Sequence, residues 1–477
     1  MRYLLGLFFL LFCLNSYSQQ NMANPATEVR AVWLTTNWQL DWPKGKTVDE
    51  QKAELEDIFD ELQRQRFNVV LFQVRAQGKV FYKSTVEGAS PYYNSSNGFD
   101  PLAFAIEACH ARDLECHAWI TTFPVERIRR SKRGAILEKK PAFYKTDKNH
   151  WFLDPGRPET KDRLVLIAKE IVTNYDVDGI HLDYIRYPDD AKKFNDTDTY
   201  RRYGQGKPKD QWRRDNVSNI VFAIYDTVKA IKKWVQVSSA PIGKYKPVNS
   251  YDWTAYESVH QDAKLWTKAG KHDLLFPMMY FDGKDFYPYV EGWVAEKNNR
   301  PVVPGLALYK LEESEKNWSV DEIKKQISFI RDKRTDGQAF FRAEQIMKNK
   351  KDVKDAILPF YQYPAKLPPL TWLANRQPQQ PQNFRVTKDE NGILNMEWDA
   401  PTDDRRYTYN IYWGAIDQVE SDNSSRILAA NLHKNSYAFP ASVGEFGYYY
   451  FVTASDRYHN ESDPAESVYF VHSKNVY

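Results

Sequence analysis

The sequence predicts a (β/α)8 TIM barrel followed by an all-β sandwich of the immunoglobulin-like or fibronectin III kind. Three observations carry that expectation. The first two-thirds of the 477 residues alternates apolar, strand-like runs with amphipathic helices. The strands in that alternation number eight, which closes a parallel barrel. Beyond the Pro- and Gln-rich stretch Tyr363 to Pro381, the pattern changes to short alternating strands separated by turn residues. The alternative is a doubly wound open sheet, but no Gly-rich phosphate loop follows the first strand. The expected division is a signal peptide over 1–18, a barrel over 28–365, a linker over 366–380 and a sandwich over 381–477.

Val29 to Leu34 reads as the first strand. Thr47-Val48-Asp49-Glu50 has capping-box spacing and opens a helix whose Leu55, Ile58, Phe59 and Leu62 share one face. Phe67 to Val74 is the second strand and runs into Arg75. Leu102 to Ala111 is helical, and Glu115 to Ile120 is the third strand. A helix from about Lys161 to Asn174 leads to the fourth, Asp178 to Tyr184. Val217, Ile220, Val221 and Ile224 mark a further helix before the fifth strand, Val235 to Ala240. Leu274 to Tyr280 is the sixth and Val302 to Leu308 the seventh. Ser319-Val320-Asp321-Glu322 offers a second capping box, and Gln338 to Phe341 is the eighth strand. In the tail, Phe384 to Thr387, Leu394 to Trp398, Tyr407 to Trp413, Tyr448 to Ala454 and Val468 to Val471 read as sandwich strands.

Composition narrows the function classes. With 42% hydrophobic and 27% charged residues, the chain has enough apolar material to fold. A net charge of +3 gives no basis for a nucleic-acid partner. The 14 Trp, 31 Tyr and 26 Phe suit sugar binding, because flat rings pack on pyranose faces, although a large aromatic core accounts for most of them. At the N-terminus, Arg2, the apolar run Leu4 to Leu14 and Ser16-Tyr17-Ser18 have the form of a cleaved signal, with cleavage before Gln19. Phe12 stands before Cys13 where a lipoprotein signal has a small residue. Export to the periplasm, the cell surface or the medium is therefore expected, with no integral membrane span. Cys109 and Cys116 fit no zinc motif; they read as buried free thiols, with one disulfide as the alternative.

The strongest chemical signal is Asp178-Gly179-Ile180-His181-Leu182-Asp183-Tyr184-Ile185-Arg186-Tyr187-Pro188. Alternate residues of a barrel strand face the lumen, so His181 and Asp183 point inward together. Asp183 falls at the C-terminal end of its strand, where barrel active sites are built. The competing interpretation is a buried structural Asp paired with Arg186. Other strand ends bring Gln73, Arg75, His117, Trp119, Tyr280 and Tyr309 toward the same mouth. Glycoside hydrolysis usually needs a second carboxyl group. Glu344 and Asp282 are the leading candidates, ahead of Asp154 and Glu126.

These segments resemble a known family. Val29-Arg30-Ala31-Val32-Trp33-Leu34, Phe72-Gln73-Val74-Arg75, Cys116-His117-Ala118-Trp119, Leu153-Asp154-Pro155-Gly156 and Asp178–Pro188 are similar, in this order, to glycosyl-hydrolase-like family 10. The resemblance covers roughly Glu28 to Tyr363. It implies a (β/α)8 glycosidase, with relatives that act on bacterial cell-wall glycan stripped of its peptide stems. It also implies that Arg75, His117, Asp183, Arg186 and Tyr280 line the site. The chain departs from the family at Lys79, where many relatives carry Asp. It departs again at Thr121-Thr122-Phe123-Pro124 in place of Asn-Pro-Tyr-Arg, and at Pro277-Met278-Met279-Tyr280 in place of the Pro-Gln-x-Tyr of the sixth strand. These changes remove polar groups near the mouth and bear on substrate choice. The tail, through Met396-Glu397-Trp398-Asp399-Ala400-Pro401 and Tyr450 to Ala454, resembles a fibronectin type III domain.

The resulting expectation is an exported glycoside hydrolase cutting peptide-free peptidoglycan strands, or a related polysaccharide, by a two-carboxylate mechanism. Asp183 would be nucleophile or acid, assisted by Glu344 or Asp282. Gln73, Arg75, His117, Trp119, His181, Arg186, Tyr280 and Tyr309 would hold the sugar. No cofactor or metal is expected, and a polysaccharide is the expected partner. An inactive carbohydrate-binding barrel is the alternative. A metal hydrolase built on His117, His181 and Asp183 ranks last, because no paired-histidine spacing is present.

Overall fold

A computed structural model describes residues 24–127, 143–145, 150–250, 252–403, 406–440 and 447–471. The predicted signal peptide lies outside these residues. Eight parallel strands build the barrel: β1 (Val29–Leu34), β2 (Val69–Ala76), β3 (Glu115–Thr121), β4 (Gly179–Asp183), β5 (Gln236–Ser239), β6 (Leu274–Leu275), β7 (Gly305–Ala307) and β8 (Gly337–Phe341). From β1 to β6 each strand pairs with the next, β8 pairs with both β1 and β7, and single bridges at Leu275–Val302 and Met278–Gly305 join β6 to β7. The ring is therefore closed.

Both faces of these strands are covered, which is why they are continuous apolar runs. Val32, Phe72, Ala118, Ile180 and Leu182 face outward into a core shared with the helices. Ala31, Trp33, Leu71, Trp119, Phe276 and Ala339 face inward and fill the lumen. The helix Val48–Arg64 forms behind a complete capping box at Thr47 and Glu50. At Ser319 only half of the expected box is made, through Asp321 N. Cys109 and Cys116 are buried and free.

The tail forms seven strands: β9 (Gln382–Lys388), β10 (Ile393–Asp399), β11 (Thr408–Gly414), β12 (Ile427–Leu432), β13 (Ser436–Pro440), β14 (Gly447–Ser455) and β15 (Val468–Val471). They make a three-stranded sheet, β9-β10-β13, and a four-stranded sheet, β12-β11-β14-β15. Leu394, Met396, Trp398, Ile411 and Val452 fill the space between the sheets. Sequence reading missed β12 and β13. Ile-Leu-Ala-Ala-Asn-Leu has little β-branching, and Ser-Tyr-Ala-Phe-Pro is short and ends on a proline.

The stretch read as a tether is partly packed. Leu367 and Leu370 are buried, Lys366 bridges to Thr27, and Trp372 Nε1 donates to Asp273 Oδ1 at 2.8 Å. The sandwich seats against the N-terminal ends of the barrel strands. Arg457 donates twice to Asp176 at 2.9 Å, and Arg406 pairs with the same carboxylate. His459 Nε2 lies 2.7 Å from Glu115, and the His433 ring stacks on His110 at 4.5 Å.

Candidate active site

At the opposite end, the C-terminal ends of the strands surround a cavity of about 880 Å³. Its floor is set by strand register. Thr121 lies opposite Asp183, and Trp119 opposite His181. Asp183 is 6% exposed. Its Oδ2 accepts a hydrogen bond from Trp119 Nε1 at 3.1 Å, and its Oδ1 accepts one from Tyr184 N at 2.7 Å. Burial pushes the Asp183 carboxyl up to about 6, against the opposing pull of the Tyr184 N–H, the Arg186 charge and Trp119. This is the condition of a general acid that carries its proton close to neutral pH.

His181 stands one layer lower. Its Nε2 accepts from Trp33 Nε1 at 3.1 Å, so its other nitrogen donates to Ser238 Oγ at 2.9 Å. Burial holds His181 well below its usual pKa, and the imidazole is neutral. It is a floor support that fixes the Trp33 ring. Tyr280 forms one wall against Phe341 at 5.7 Å and Tyr309 at 5.8 Å. Burial raises its hydroxyl well above the ordinary value, so it stays a neutral donor.

Gln73 organises the loop after β1. Its Oε1 accepts from Thr35 Oγ1 at 2.7 Å, Thr36 N at 2.9 Å and Asn37 N at 2.8 Å, and its Nε2 donates to Thr121 Oγ1 at 3.0 Å. Arg186 does not pair with Asp183. It donates to Asp189 Oδ1 at 2.8 Å, lies 4.8 Å from the Tyr184 ring, and keeps a buried Nε–H without a partner. Tyr184 itself has a left-handed backbone, with φ of 51°. That conformation is costly for a non-glycine residue and turns the chain sharply after Asp183.

An aromatic-walled cavity with one poised carboxylic acid, at this end of a barrel, fits acid-catalysed cleavage of a sugar linkage. Comparison with known proteins agrees. The sequence profile of glycosyl hydrolase-like 10 matches residues 28–319. The chain belongs to this family.

Among its relatives in this family's wider neighbourhood, the glycosyl hydrolase YngK of Bacillus subtilis (strain 168) is 31% identical across 92% of this chain and 93% of its own length. The glycosyl hydrolase DigH of Escherichia coli (strain K12) is 29% identical across 63% of this chain and 79% of its own length. The glycoside hydrolase domain of PgaB (BpsB) from Bordetella bronchiseptica shares the fold, with a TM-score of 0.50, 12% identity and coverage of 69% of this chain and 98% of that domain. This glycosyl hydrolase-like 10 chain is accordingly a glycoside hydrolase.

In this family member Asp183, Gln73, Trp119, Arg186, Tyr280 and Tyr309 share the cavity wall, while other expected residues lie elsewhere. Arg75 is fully buried beside the mouth. It makes a bidentate pair with Glu87 at 2.6 and 3.0 Å and donates to the carbonyls of Thr121 and Thr122. His117 faces the lumen near the base, where its Nε2 meets Glu115 at 2.9 Å. Gly179 makes room for it, since a Cβ there would fall 2.3 Å from His117 Nδ1. Gly179→Ala is expected to cost about 1–3 kcal/mol through forced repacking, read as a fall in melting temperature.

The proposed second carboxylates also lie off the cavity wall. Glu344 is held by Arg342, by Lys348 at 2.6 Å and by Lys44 at 3.6 Å. Asp282 sits at the N-cap of the helix Gly283–Ala295. Asp154 is buried and accepts from Thr199 Oγ1 at 2.5 Å and Gly156 N at 2.9 Å. The Glu126 side chain is outside the described residues. Among the described residues, the carboxylates on the cavity wall are Asp183, Asp189 and Asp190. Sequence reasoning passed over the last two, and also Trp38 and Trp253. All four sit in segments without periodicity after β1, β4 and β5, and no local pattern in the sequence marks them.

Proposed function

We propose that this hydrolase is exported and cleaves the glycan strands of the bacterial cell wall after removal of their peptide stems, or a closely related polysaccharide. Asp183 donates the proton to the departing glycosidic oxygen. Asp189 or Asp190 supplies the second carboxylate of a two-carboxylate mechanism, and Tyr280, Trp119 and Arg186 hold the sugar. The observation that carries the reading is Asp183, a carboxyl poised near pH 6 on the floor of an aromatic cavity. The Leu4 to Leu14 segment supports export. Among the described residues, no helix is long and apolar enough to cross a membrane.

The test is incubation with purified, peptide-free peptidoglycan glycan and chromatography of the products; intact strands after prolonged incubation would overturn the substrate assignment. The acid role has a pH signature. Asp183 donates only when protonated, so kcat/KM is expected to fall about tenfold per pH unit above about 6. A profile that stays flat from about pH 5 to 8 would remove Asp183 from that role.

A further inference from the structure

Two tryptophans at the cavity mouth are exposed yet firmly positioned. Trp38 is 60% exposed and Trp253 40%. Both rings line the cavity that holds Asp183, so each presents a flat apolar face to whatever enters it. Trp38 also has a left-handed backbone, with φ of 52°, followed by Gln39 at 57°. The surrounding loop is locked. Gln73 takes the N–H groups of Thr36 and Asn37, Asp41 takes Thr35 N at 2.7 Å, and Arg342 fastens Asp41 at 2.8 Å. Trp253 is fixed separately. Its Nε1 donates to Asp189 O at 3.2 Å, and the Arg186 guanidinium lies 5.7 Å from its ring.

Position in the barrel gives these rings their meaning. Trp38 stands in the loop after β1 and is tied to β2 and β8. Trp253 stands in the segment after β5 and is tied to the loop after β4. In a ring of eight strands these places lie half a turn apart, and both rings line the one cavity that has Asp183 on its floor. A pocket for a chain end needs one such wall. Two platforms on opposite sides of the acid suit a chain that crosses the mouth and continues past it on both sides.

We infer that Trp38 and Trp253 are sugar-stacking platforms on either side of the cleavage point, and that the enzyme cuts within a polysaccharide chain rather than from its end. This rests on the reading of the protein as a hydrolase of glycan strands. Each platform contributes binding to long chains and little to the chemical step, so its loss falls in KM.

The test uses the full chain and peptide-free peptidoglycan strands, with chitin oligosaccharides and a poly-glucosamine in parallel. On whichever polysaccharide is cut, fragments of intermediate length are expected first. Trp38→Ala and Trp253→Ala are each expected to raise KM about tenfold, with melting temperature at the wild-type value. Tyr at either position should restore most of the loss. Release of only mono- or disaccharides from the earliest time, or alanine variants with wild-type KM, would overturn the inference. Cleavage of another polysaccharide but not of peptidoglycan strands would overturn the substrate assignment alone. A wild-type protein that cuts none of them overturns both.

Discussion

Asp183→Asn is expected to abolish turnover and leave the fold standing. Asparagine has nearly the same shape and keeps an oxygen for Tyr184 N, but it has no proton to give to a leaving group. Loss of general acid catalysis alone lowers the rate by roughly 10²–10⁴-fold. Stability responds in the opposite direction. Burial raises the Asp183 carboxyl from 3.8 to about 6, so above that pH the folded protein holds a charge it disfavours. At neutral pH this costs the fold on the order of 2–3 kcal/mol, and the amide removes the cost. The amide nitrogen then faces the Trp119 N–H, which gives back about 1–3 kcal/mol. The melting temperature near pH 7 is therefore expected within a few degrees of wild type. The Arg186 charge only offsets part of the burial cost, and its ion pair with Asp189 is untouched by the substitution. A variant that turns over normally would move the acid role to another residue. A variant that unfolds would make Asp183 a scaffold residue.

The second large effect is expected at Glu87. This carboxylate is fully buried between Arg75 and Arg163. Burial works against its charge, but the two guanidinium groups outweigh burial and hold it below the usual carboxylate range. Glu87→Ala strands a fully buried Arg75 and is expected to cost about 3–5 kcal/mol, a fall in melting temperature on the order of 10 °C. Replacing both partners, as Arg75→Met with Glu87→Leu, should recover most of that loss, because neither charge is then left buried alone. The double variant also separates two roles for Arg75. Retained sugar binding makes Arg75 a brace for the Thr121 and Thr122 carbonyls. Lost binding with a recovered melting temperature would put Arg75 in contact with substrate, as the family resemblance implied.

Much of the barrel was legible because one rule governs it. Alternation along β3 and β4 places Glu115, His117, Trp119, Thr121, His181 and Asp183 on the inside, and the structure has them there. The rule gives a side, however, and not a height. His117 lies two residues below Trp119, about 7 Å further from the mouth, and serves the base of the barrel. Arg75 lies off the cavity wall for a different reason. The β2–β3 register shifts between Gln73 and Arg75, so the alternation breaks near the end of the strand, one residue before Ala76 closes it. Nothing in Phe-Gln-Val-Arg-Ala announces that irregularity. The second carboxylate was sought immediately after strands, and Glu344 satisfies that description. It is drawn aside by Arg342, which is joined to Phe341 and also holds Asp41. Such a pairing depends on a loop more than three hundred residues earlier.

The seating of the sandwich on the base gives the molecule two poles. The residues that bind the sandwich, such as Asp176 and Glu115, precede or begin barrel strands, whereas Asp183 ends one. A surface or bead that grips the sandwich therefore leaves the mouth pointing away from it. Immobilising the protein through β9 or β13 should preserve access for long, insoluble chains, while attachment through the loops after β1 or β5 would cover the entrance.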